Sequence, residues 1–379
     1  MDFDISENHK MIQNMVREFA QNEIKPGASE RDQSKEFPME ICKKLGELGL
    51  MGLTVEEKFG GSEMDVTSFA IVVEEVAKVD GSLALTIASH NGLCCGHISL
   101  AGNDEQKQKY LPKLASAEHL GAWCLTEPGS GSDALAMKTT ATLDGDEYII
   151  SGSKMFITQG TVAQTYVVLA NTIIDGQNKG PSAFVVERNS KGLTPGKPED
   201  KLGLRSSDTA SVSFDNVRVP KANLLGEVGE GFKDALKILD KGRVVIGSMA
   251  LGLGKAALEE ATKYSIERTA FGKPISKFQA IQWKLADAAT ELEVADVLLR
   301  RASSLHDKKQ YAKKESSMAK LYASEAAWRA CNMAIQVHGG YGYVSEYPVE
   351  RFYRDVKLCE IGEGTSQIQR EVISREILK

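Results

Sequence analysis

The stretch CLTEPGSGSD, residues 124–133, lies where the spacing of apolar residues along the chain changes. From Ser6 to about residue 120, apolar residues recur every three or four positions, which is the spacing of amphipathic helices. Beyond the stretch, short apolar runs typical of β-strands alternate with turn pairs such as Asp144-Gly145. Helical spacing returns at Gly231. The sequence therefore predicts an α+β fold in which a strand-rich region separates two helical ones.

This order predicts three domains: an N-terminal α-helical domain at residues 1–120, a middle β domain at 121–230 and a C-terminal α-helical bundle at 231–379. The predicted strand runs are residues 148–150, 155–157, 166–169, 183–186 and 210–214. Long amphipathic helices in the last domain predict a four-helix bundle and an oligomer interface built from helices. The charge-free segment 82–100 is expected either to be buried on most faces or to line an apolar cavity.

The composition argues against several classes of function. The 379 residues carry a net charge of −6 without a long Lys/Arg run, so nucleic acid is not an expected partner. No apolar stretch approaches the ~18 residues of a membrane span and no targeting segment is evident, so we expect a soluble chain without membrane insertion. Six cysteines without CxxC spacing indicate a reducing compartment, and the scattered histidines predict no metal site.

A second stretch, EIGEGTSQ at residues 360–367, places Glu363 between two glycines just ahead of a helix-capping pair. A substrate can approach a carboxylate on such bare backbone closely, and the Gly364 backbone N–H is free to donate. One interpretation is therefore a general base that abstracts a proton beside a carbonyl. The other is a glutamate that only favours the positive end of the helix that follows. Both interpretations stay open on this stretch alone.

Two glycine-rich stretches are not interpreted as nucleotide sites. GLGKAA at residues 252–257 fits the spacing G-x-G-x-x-A, but a helical run precedes it and no strand–turn–helix unit surrounds it. GEVGEG at residues 226–231 is interpreted as the join between the β domain and the bundle. Any nucleotide-containing cofactor must therefore be held by other motifs.

Three separated motifs resemble those of the acyl-CoA dehydrogenase family: CLTEPGSGSD, QVHGGYG at residues 336–342 and EGTSQIQR at residues 363–370. The resemblance extends over essentially the whole chain. It implies the three-domain fold, a homotetramer built as a dimer of dimers, FAD as cofactor, an acyl-CoA substrate and an electron-transferring flavoprotein as partner. It also implies a cytoplasmic enzyme in a bacterium, or a mitochondrial matrix enzyme if a presequence has been removed.

The resemblance implies two groups of flavin contacts. One comprises Trp123, Leu125, Thr126, Gly131, Ser132, Phe156, Ile157 and Thr158, with Phe156 where the family usually has tryptophan. The other comprises Arg268, Phe271, Gln279, Gln336, Val337, Gly339, Gly340, Thr365 and Gln367. In the family, the segment around Arg268 reaches the FAD phosphates of a neighbouring subunit. From the residues alone, a buried core aromatic is the more common role for Phe156, and a charge that offsets the helix dipole at a helix end is the more common role for Arg268.

For the substrate, the resemblance implies contacts from Ser132, Asp240, Arg243 and Gly364, although Asp240 and Arg243 could also form a surface helix pair. One branch of the family carries its base at the position of Gly242. Because that position is glycine here, Glu363 is the expected base. It would remove the pro-R α-proton of the thioester while the β-hydrogen leaves as hydride to flavin N5, giving a trans-2-enoyl-CoA. Enclosure should raise the pKa of Glu363 above the usual ~4.3.

Two features bear on the acyl group. Residues 81–102 contain no Arg or Lys, which argues against a second carboxylate as in glutaryl-CoA. Gly362 stands where many straight-chain members have tyrosine, which would leave room for a branched, cyclic or otherwise bulky acyl group. The alternative functions are an acyl-CoA oxidase that uses oxygen and a non-catalytic acyl-CoA-binding scaffold of the same fold.

Overall fold

The computed structural model describes residues 5–379, and its first part is helical. The helices are α1 (Glu7–Phe19), α2 (Ala28–Ser34), α3 (Met39–Glu47), α4 (Val66–Ala77), α5 (Gly81–Ser89), α6 (Gly96–Ala101) and α7 (Asp104–Ala115). Side chains that accept first-turn N–H groups cap four of them: Ser6, Asp65, Asp80 and Asn103. All nine residues of α5 are buried, so the first half of the charge-free segment lies inside, as predicted.

An eight-stranded sheet follows. Its strands are β1 (Gly121–Cys124), β2 (Thr140–Asp144), β3 (Glu147–Thr158), β4 (Thr165–Ile174), β5 (Gln177–Glu187), β6 (Leu193–Pro198), β7 (Thr209–Pro220) and β8 (Leu224–Leu225). The order is β6-β7-β3-β2-β4-β5-β8, and β1 pairs in parallel with β4. The predicted runs 148–150 and 155–157 belong to one strand, β3, because two irregularities in its pairing with β7 interrupt the alternation without ending the strand.

The C-terminal part is a bundle of long helices: α8 (Gly231–Glu267), α9 (Gln279–Asp307), α10 (Lys313–His338), α11 (Val349–Val356) and α12 (Ser366–Ile377). A small hairpin, β9 (Thr269–Ala270) and β10 (Lys273–Pro274), precedes α9. α8, α9 and α10 pack on one another and α12 packs on α10. Helices, sheet and helices in this order confirm the predicted fold class.

The GLGKAA stretch lies inside α8 and serves helix packing. A Cβ atom on Gly252 would lie 2.4 Å from the carbonyl oxygen of Glu74 in α4, and one on Gly254 would lie 3.0 Å from Cα of Ala327 in α10. Glycine therefore lets three helices approach closely. This explains the motif without a nucleotide.

Asp355 of α11 joins the three parts of the molecule. Its Oδ1 accepts the Leu204 N–H of the β region at 2.6 Å, and its Oδ2 lies beside Gly81 at the start of α5. Elsewhere, the six cysteines are buried free thiols. Between residues 5 and 379, no helix combines the length and the apolarity needed to cross a membrane.

Candidate active site

Glu363 lies in a strained turn, residues 361–365, between the 3₁₀-helix Lys357–Glu360 and α12. Thr365 is the N-cap of α12, and its hydroxyl accepts the Ile368 N–H at 3.3 Å. Glu363 has φ +52°, in the left-handed region, and Gly364 has φ +92°. For a residue with a side chain this conformation costs about 1–3 kcal/mol, so the surrounding contacts must hold it.

Two side chains hold the turn through its carbonyl groups. Lys320 Nζ donates to Gly362 O at 2.5 Å and to Gly364 O. Gln369 Nε2 donates to Gly364 O at 2.9 Å and to Glu363 O at 3.3 Å. Three consecutive carbonyl oxygens therefore have side-chain donors, and the main chain around Glu363 is fixed from two helices, α10 and α12.

The carboxylate of Glu363 lies against α8 at Gly242. A Cβ atom on Gly242 would lie only 1.9 Å from Glu363 Oε2, so the glutamate occupies the space that a side chain at residue 242 would need. Oε2 is buried and has no hydrogen-bond partner among residues 5–379. A buried acceptor without a partner is costly, which makes this oxygen available to a ligand.

Two buried cations face this carboxylate. Arg243 of α8 is 4 % exposed, and its Nη1 donates to Asp240 Oδ1 at 2.5 Å and to Ser317 Oγ at 3.2 Å. Burial raises the pKa of Glu363 to about 7, although Lys320 and then Arg243 oppose the rise. Burial also lowers the pKa of Lys320 to about 8, with Glu363 opposing it. The direction agrees with the rise expected from enclosure, although by its accessible surface Glu363 as a whole is half-buried and it is Oε2 that is enclosed.

A buried ion pair anchors the base of the loop in the first motif. Lys154 of β3 is wholly buried, and its Nζ donates to Glu127 Oε1 at 2.8 Å and to Leu125 O at 3.0 Å. The Glu127 carboxylate also accepts the backbone N–H groups of residues 138 and 139. The main chain on both sides of the loop is thus tied to one buried network.

The tip of the same loop is open. Gly129, Gly131 and Ser132 are exposed, and a Cβ on either glycine would have no neighbour within 4 Å in the described part of the chain. Leu125 and Thr126 are half-buried, whereas Trp123 is buried and its indole N–H donates to His97 Nδ1 at 3.0 Å. The tip leaves room for a flat ring or a phosphate to approach the backbone.

Phe156 lies on the open side of β3. It has φ +58° at the second irregularity of the strand, and 62 % of it is exposed, so the core interpretation of this residue is wrong. Ile157 points the other way and is buried in the sheet core, while Thr158 is half-buried. Of the three flavin contacts predicted on this strand, Phe156, Ile157 and Thr158, only Phe156 has a largely exposed side chain.

A second group of predicted residues surrounds a cavity of about 660 Å³ at the C-terminal end of α10. Its lining includes Arg268, Val337, Gly339 and Gly340. The Arg268 guanidinium lies 5.7 Å from the ring centroid of Tyr341. A Cβ on either glycine would have no neighbour within 4 Å among the residues described. A guanidinium beside unobstructed backbone suits a phosphate group.

This cavity is far from the Glu363 turn within one chain. Lys320, which contacts the turn, and Val337, which lines the cavity, are 17 residues apart on α10, about 25 Å along the helix. Phe271 is 95 % exposed at the hairpin, and Gln279 and Gln336 are exposed as well. Thr365 and Gln367 line a different, smaller cleft of about 280 Å³ beside the turn. Within one chain, Arg268, Val337, Gly339 and Gly340 therefore lie at one cavity, and Thr365 and Gln367 lie at a separate cleft.

Lys320 and Lys154 were not predicted as site residues. The only sequence signal for Lys320 is its spacing: Ser317, Ala323, Ser324 and Ala327 share its helix face, and all are small and buried. A lysine among them has to have its ammonium group satisfied inside the protein. For Lys154, alternation along the strand predicts an inward position, but its partner lies 27 residues earlier in sequence.

Three models of acyl-CoA dehydrogenase domains match the chain: the N-terminal domain at residues 6–118, the middle domain at 122–217 and the C-terminal domain at 229–378. A probable acyl-CoA dehydrogenase of Bacillus subtilis, YngJ, is 48 % identical over 383 residues and is aligned over all of both chains. The short-chain specific acyl-CoA dehydrogenase of Clostridium acetobutylicum is 44 % identical, again over all of both chains. CarC, a subunit of the caffeyl-CoA reductase-Etf complex of Acetobacterium woodii, is 45 % identical over 99 % of each chain.

Solved structures of similar proteins have the same fold. Butyryl-CoA dehydrogenase from Megasphaera elsdenii is 40 % identical, with a TM-score of 0.97 over all of both chains. An acyl-CoA dehydrogenase from Bacillus anthracis, complexed with FAD, is 37 % identical, with a TM-score of 0.93 over 99 % of this chain and 67 % of its own.

Proposed function

The chain belongs to the acyl-CoA dehydrogenase family and uses FAD, and on this premise we propose that Glu363 is the base of an α,β-dehydrogenation of an acyl-CoA thioester. The observation that carries the proposal is the buried Oε2 of Glu363, which lies against Gly242 without a hydrogen-bond partner in the described chain. The product would be a trans-2-enoyl-CoA.

The described residues fit the cofactor. The open loop tip at Gly129 and Gly131 and the exposed Phe156 would hold the flavin ring. Arg268 with Gly339 and Gly340 would hold the phosphates. Once bound, FAD would supply the oxidising chemistry as a two-electron acceptor for the β-hydrogen, which leaves as hydride.

The protein supplies the proton transfer. The Glu363 carboxylate takes the α-proton, the α C–H bond breaks, and the carboxyl group becomes neutral. A pKa of about 7 makes Glu363 a stronger base than an exposed glutamate, yet still largely ionised above neutrality. Rates of the reductive half-reaction should therefore rise with pH through about 7. The Glu363 backbone N–H is our candidate donor to the thioester oxygen, where negative charge develops.

Replacement of the base tests this assignment. We expect Glu363→Gln to retain the flavin and to bind acyl-CoA, but to bleach about 10²- to 10⁴-fold more slowly on anaerobic mixing. Glu371→Gln, on the exposed side of α12, is the matched control and should bleach at the parent rate. Full-rate bleaching by Glu363→Gln would remove Glu363 from the mechanism.

We propose that the site accepts a branched, cyclic or otherwise bulky acyl group. The three heavy atoms nearest to a Cβ on Gly362 would all belong to Leu358, at 3.6 Å or more, so this position has room for a side chain and glycine leaves that room free beside the base. The similarity to a subunit named for caffeyl-CoA also favours a bulky substrate. The similarity to short-chain and butyryl-CoA enzymes favours the opposite result.

Relative rates with butyryl-, octanoyl-, isovaleryl-, isobutyryl-, cyclohexanecarbonyl- and 3-arylpropionyl-CoA decide between these substrates. We expect Gly362→Tyr to keep turnover of butyryl-CoA and to lose that of the bulky thioesters. A sharp straight-chain preference in the parent enzyme would refute the proposal.

We also propose that electrons pass to an electron-transferring flavoprotein in a cytoplasmic compartment, as the similarity to a subunit of an Etf complex suggests. The dehydrogenase should then reduce that flavoprotein without releasing peroxide in air. Stoichiometric peroxide would indicate an oxidase.

A further inference from the structure

Lys320 is a buried ammonium group that the chemistry above does not use. The residue is 1 % exposed, on the face of α10 that packs against α8. Its Nζ bonds to Gly362 O and Gly364 O, the carbonyl groups on the two sides of Glu363. It has no carboxylate within 4 Å in the part of the chain that the structure describes.

Packing alone does not account for a lysine at this position. Its neighbours on the same helix face are small, and α8 comes so close that a Cβ on Gly247 would lie 3.3 Å from the Lys320 Cα. An isolated ammonium group in such surroundings is unfavourable unless its hydrogen bonds and charge are compensated. The two carbonyls compensate the hydrogen bonds, and the nearby Glu363 carboxylate is the remaining group that can compensate the charge.

The charges that face Glu363 come from two elements: α10 contributes Lys320 and α8 contributes Arg243. Cys359, on the 3₁₀-helix before the turn, faces Lys320, and its buried thiol stays protonated because burial raises its pKa. Arg243 is already paired with Asp240 at 2.5 Å. Lys320 is therefore the cation whose charge is not offset by another carboxylate.

We propose that Lys320 is the positioning residue of the base: it holds the left-handed main chain at Glu363 from both sides and keeps the buried carboxylate ionised. The proposal rests on Glu363 being the base. It predicts two separable effects of Lys320, one on the geometry of the turn and one on the pH at which Glu363 becomes active. The opposing effect of Lys320 on the pKa of Glu363 agrees with the second of these.

Two substitutions separate the effects. Lys320→Met removes both the donors and the charge, whereas Lys320→Gln keeps a donor for a carbonyl without the charge. In both variants the acidic limb of the pH–rate profile for bleaching should move up by about one pH unit or more, so that the rate at pH 7 falls about fivefold or more. The rate at high pH should stay low in Lys320→Met and recover in Lys320→Gln.

Lys255→Met is the matched control. Lys255 is also a largely enclosed lysine of the bundle, but it pairs with Glu74 and Asp296. Its replacement should lower the thermal midpoint of unfolding and leave the acidic limb of the pH–rate profile for bleaching in place. If Lys320 had a purely structural role, the Lys320 variants would show the same pattern as Lys255→Met.

The proposal is overturned if the Lys320 variants retain flavin and their pH profiles superimpose on that of the parent. It is also overturned if neither variant folds with flavin, since a residue that only positions the turn should leave the fold intact. Glu363→Gln is measured in parallel: if it bleaches at full rate, the base assignment itself fails, whatever Lys320 does.

Discussion

The Glu363 carboxylate occupies the space that a side chain at residue 242 would need. The position of the proposed base therefore requires glycine at residue 242. We expect Gly242→Ala to fold, because the atom in the way of the new Cβ is the end of a flexible side chain. The displaced carboxylate should then slow anaerobic bleaching by about tenfold to a hundredfold, the usual effect of a misplacement of about 1 Å.

A double-mutant cycle shows whether Gly242→Ala slows bleaching by displacing the Glu363 carboxylate. The variant carrying both Gly242→Ala and Glu363→Gln should be no slower than Glu363→Gln alone, because the two changes act on one interaction. Additive losses would mean that Gly242 serves the acyl group or the backbone instead.

Single residues also mark the limit of sequence reasoning. The glycines around Glu363 could be interpreted from the sequence as a local signal, whereas Gly242 could be interpreted only through the resemblance to the family. The contacts of Lys320 could not, because they depend on how closely α10 packs beside a turn 42 residues later. The exposure of Phe156 likewise follows from a strand irregularity that alternation does not reveal.

At the level of elements, the Lys154–Glu127 pair ties β3 to the loop that we assign to the flavin. Lys154→Met leaves the Glu127 carboxylate buried without its cation, and removal of one partner of a buried pair typically costs about 3–5 kcal/mol. We expect a destabilisation of that order in denaturant unfolding and a weaker affinity for FAD, because the base of the loop is released.

The exposed pair Lys109–Glu187 provides the comparison. Lys109→Met should cost less than about 1 kcal/mol, as expected for surface ion pairs, and should leave FAD affinity unchanged. If Lys154→Met and Lys109→Met had the same free energy of unfolding, the Lys154–Glu127 pair would not be the interaction that anchors the loop.

The elements themselves were largely predictable, because burial and periodicity agree in long helices such as α9, where Ala288, Leu292, Ala295 and Leu299 form one buried face. The strands were predictable as a group but not one by one. Their runs are short, and β3 continues through two pairing irregularities that look like turns in the sequence. The order of the strands in the sheet could not be predicted from the sequence, since β1 pairs with β4 and not with a strand next to it in the chain.

At the level of the whole molecule, Asp355 makes the contact between the three parts depend on pH. Burial raises the pKa of its carboxyl group from 3.8 to about 7. Its contribution to stability is therefore complete below pH ~4 and is lost as the pH rises through about 7, because the folded state then has to bury a charge.

Asp355→Asn should remove this pH dependence and keep the acceptor for the Leu204 N–H. The thermal midpoint of the variant minus that of the parent should be more positive at pH 8 than at pH 5. The same difference at both pH values would show that Asp355 titrates normally.

The separation of the Glu363 turn from the Arg268 cavity bears on the assembly, since Lys320 at the turn and Val337 at the cavity lie about 25 Å apart along α10. We propose a homotetramer, a dimer of dimers, in which each cavity serves the FAD of a neighbouring chain. Three exposed apolar side chains lie in the hairpin and the two helices that flank it in sequence, as expected for an interface: Ile266, Phe271 and Trp283. Light scattering on the purified enzyme should give four chains per particle.

Mixed oligomers test the sharing directly. Glu363→Gln and Arg268→Ala should each be nearly inactive alone, the first without a base and the second with poor FAD retention. In a co-expressed mixture, an Arg268→Ala chain beside a Glu363→Gln chain has its own base and the neighbour's arginine. Random pairing in dimers would then restore about a quarter of the parent activity per site. If Arg268 instead serves the FAD of its own chain, no site in the mixture is complete, and the activity should not exceed that of the two variants measured apart.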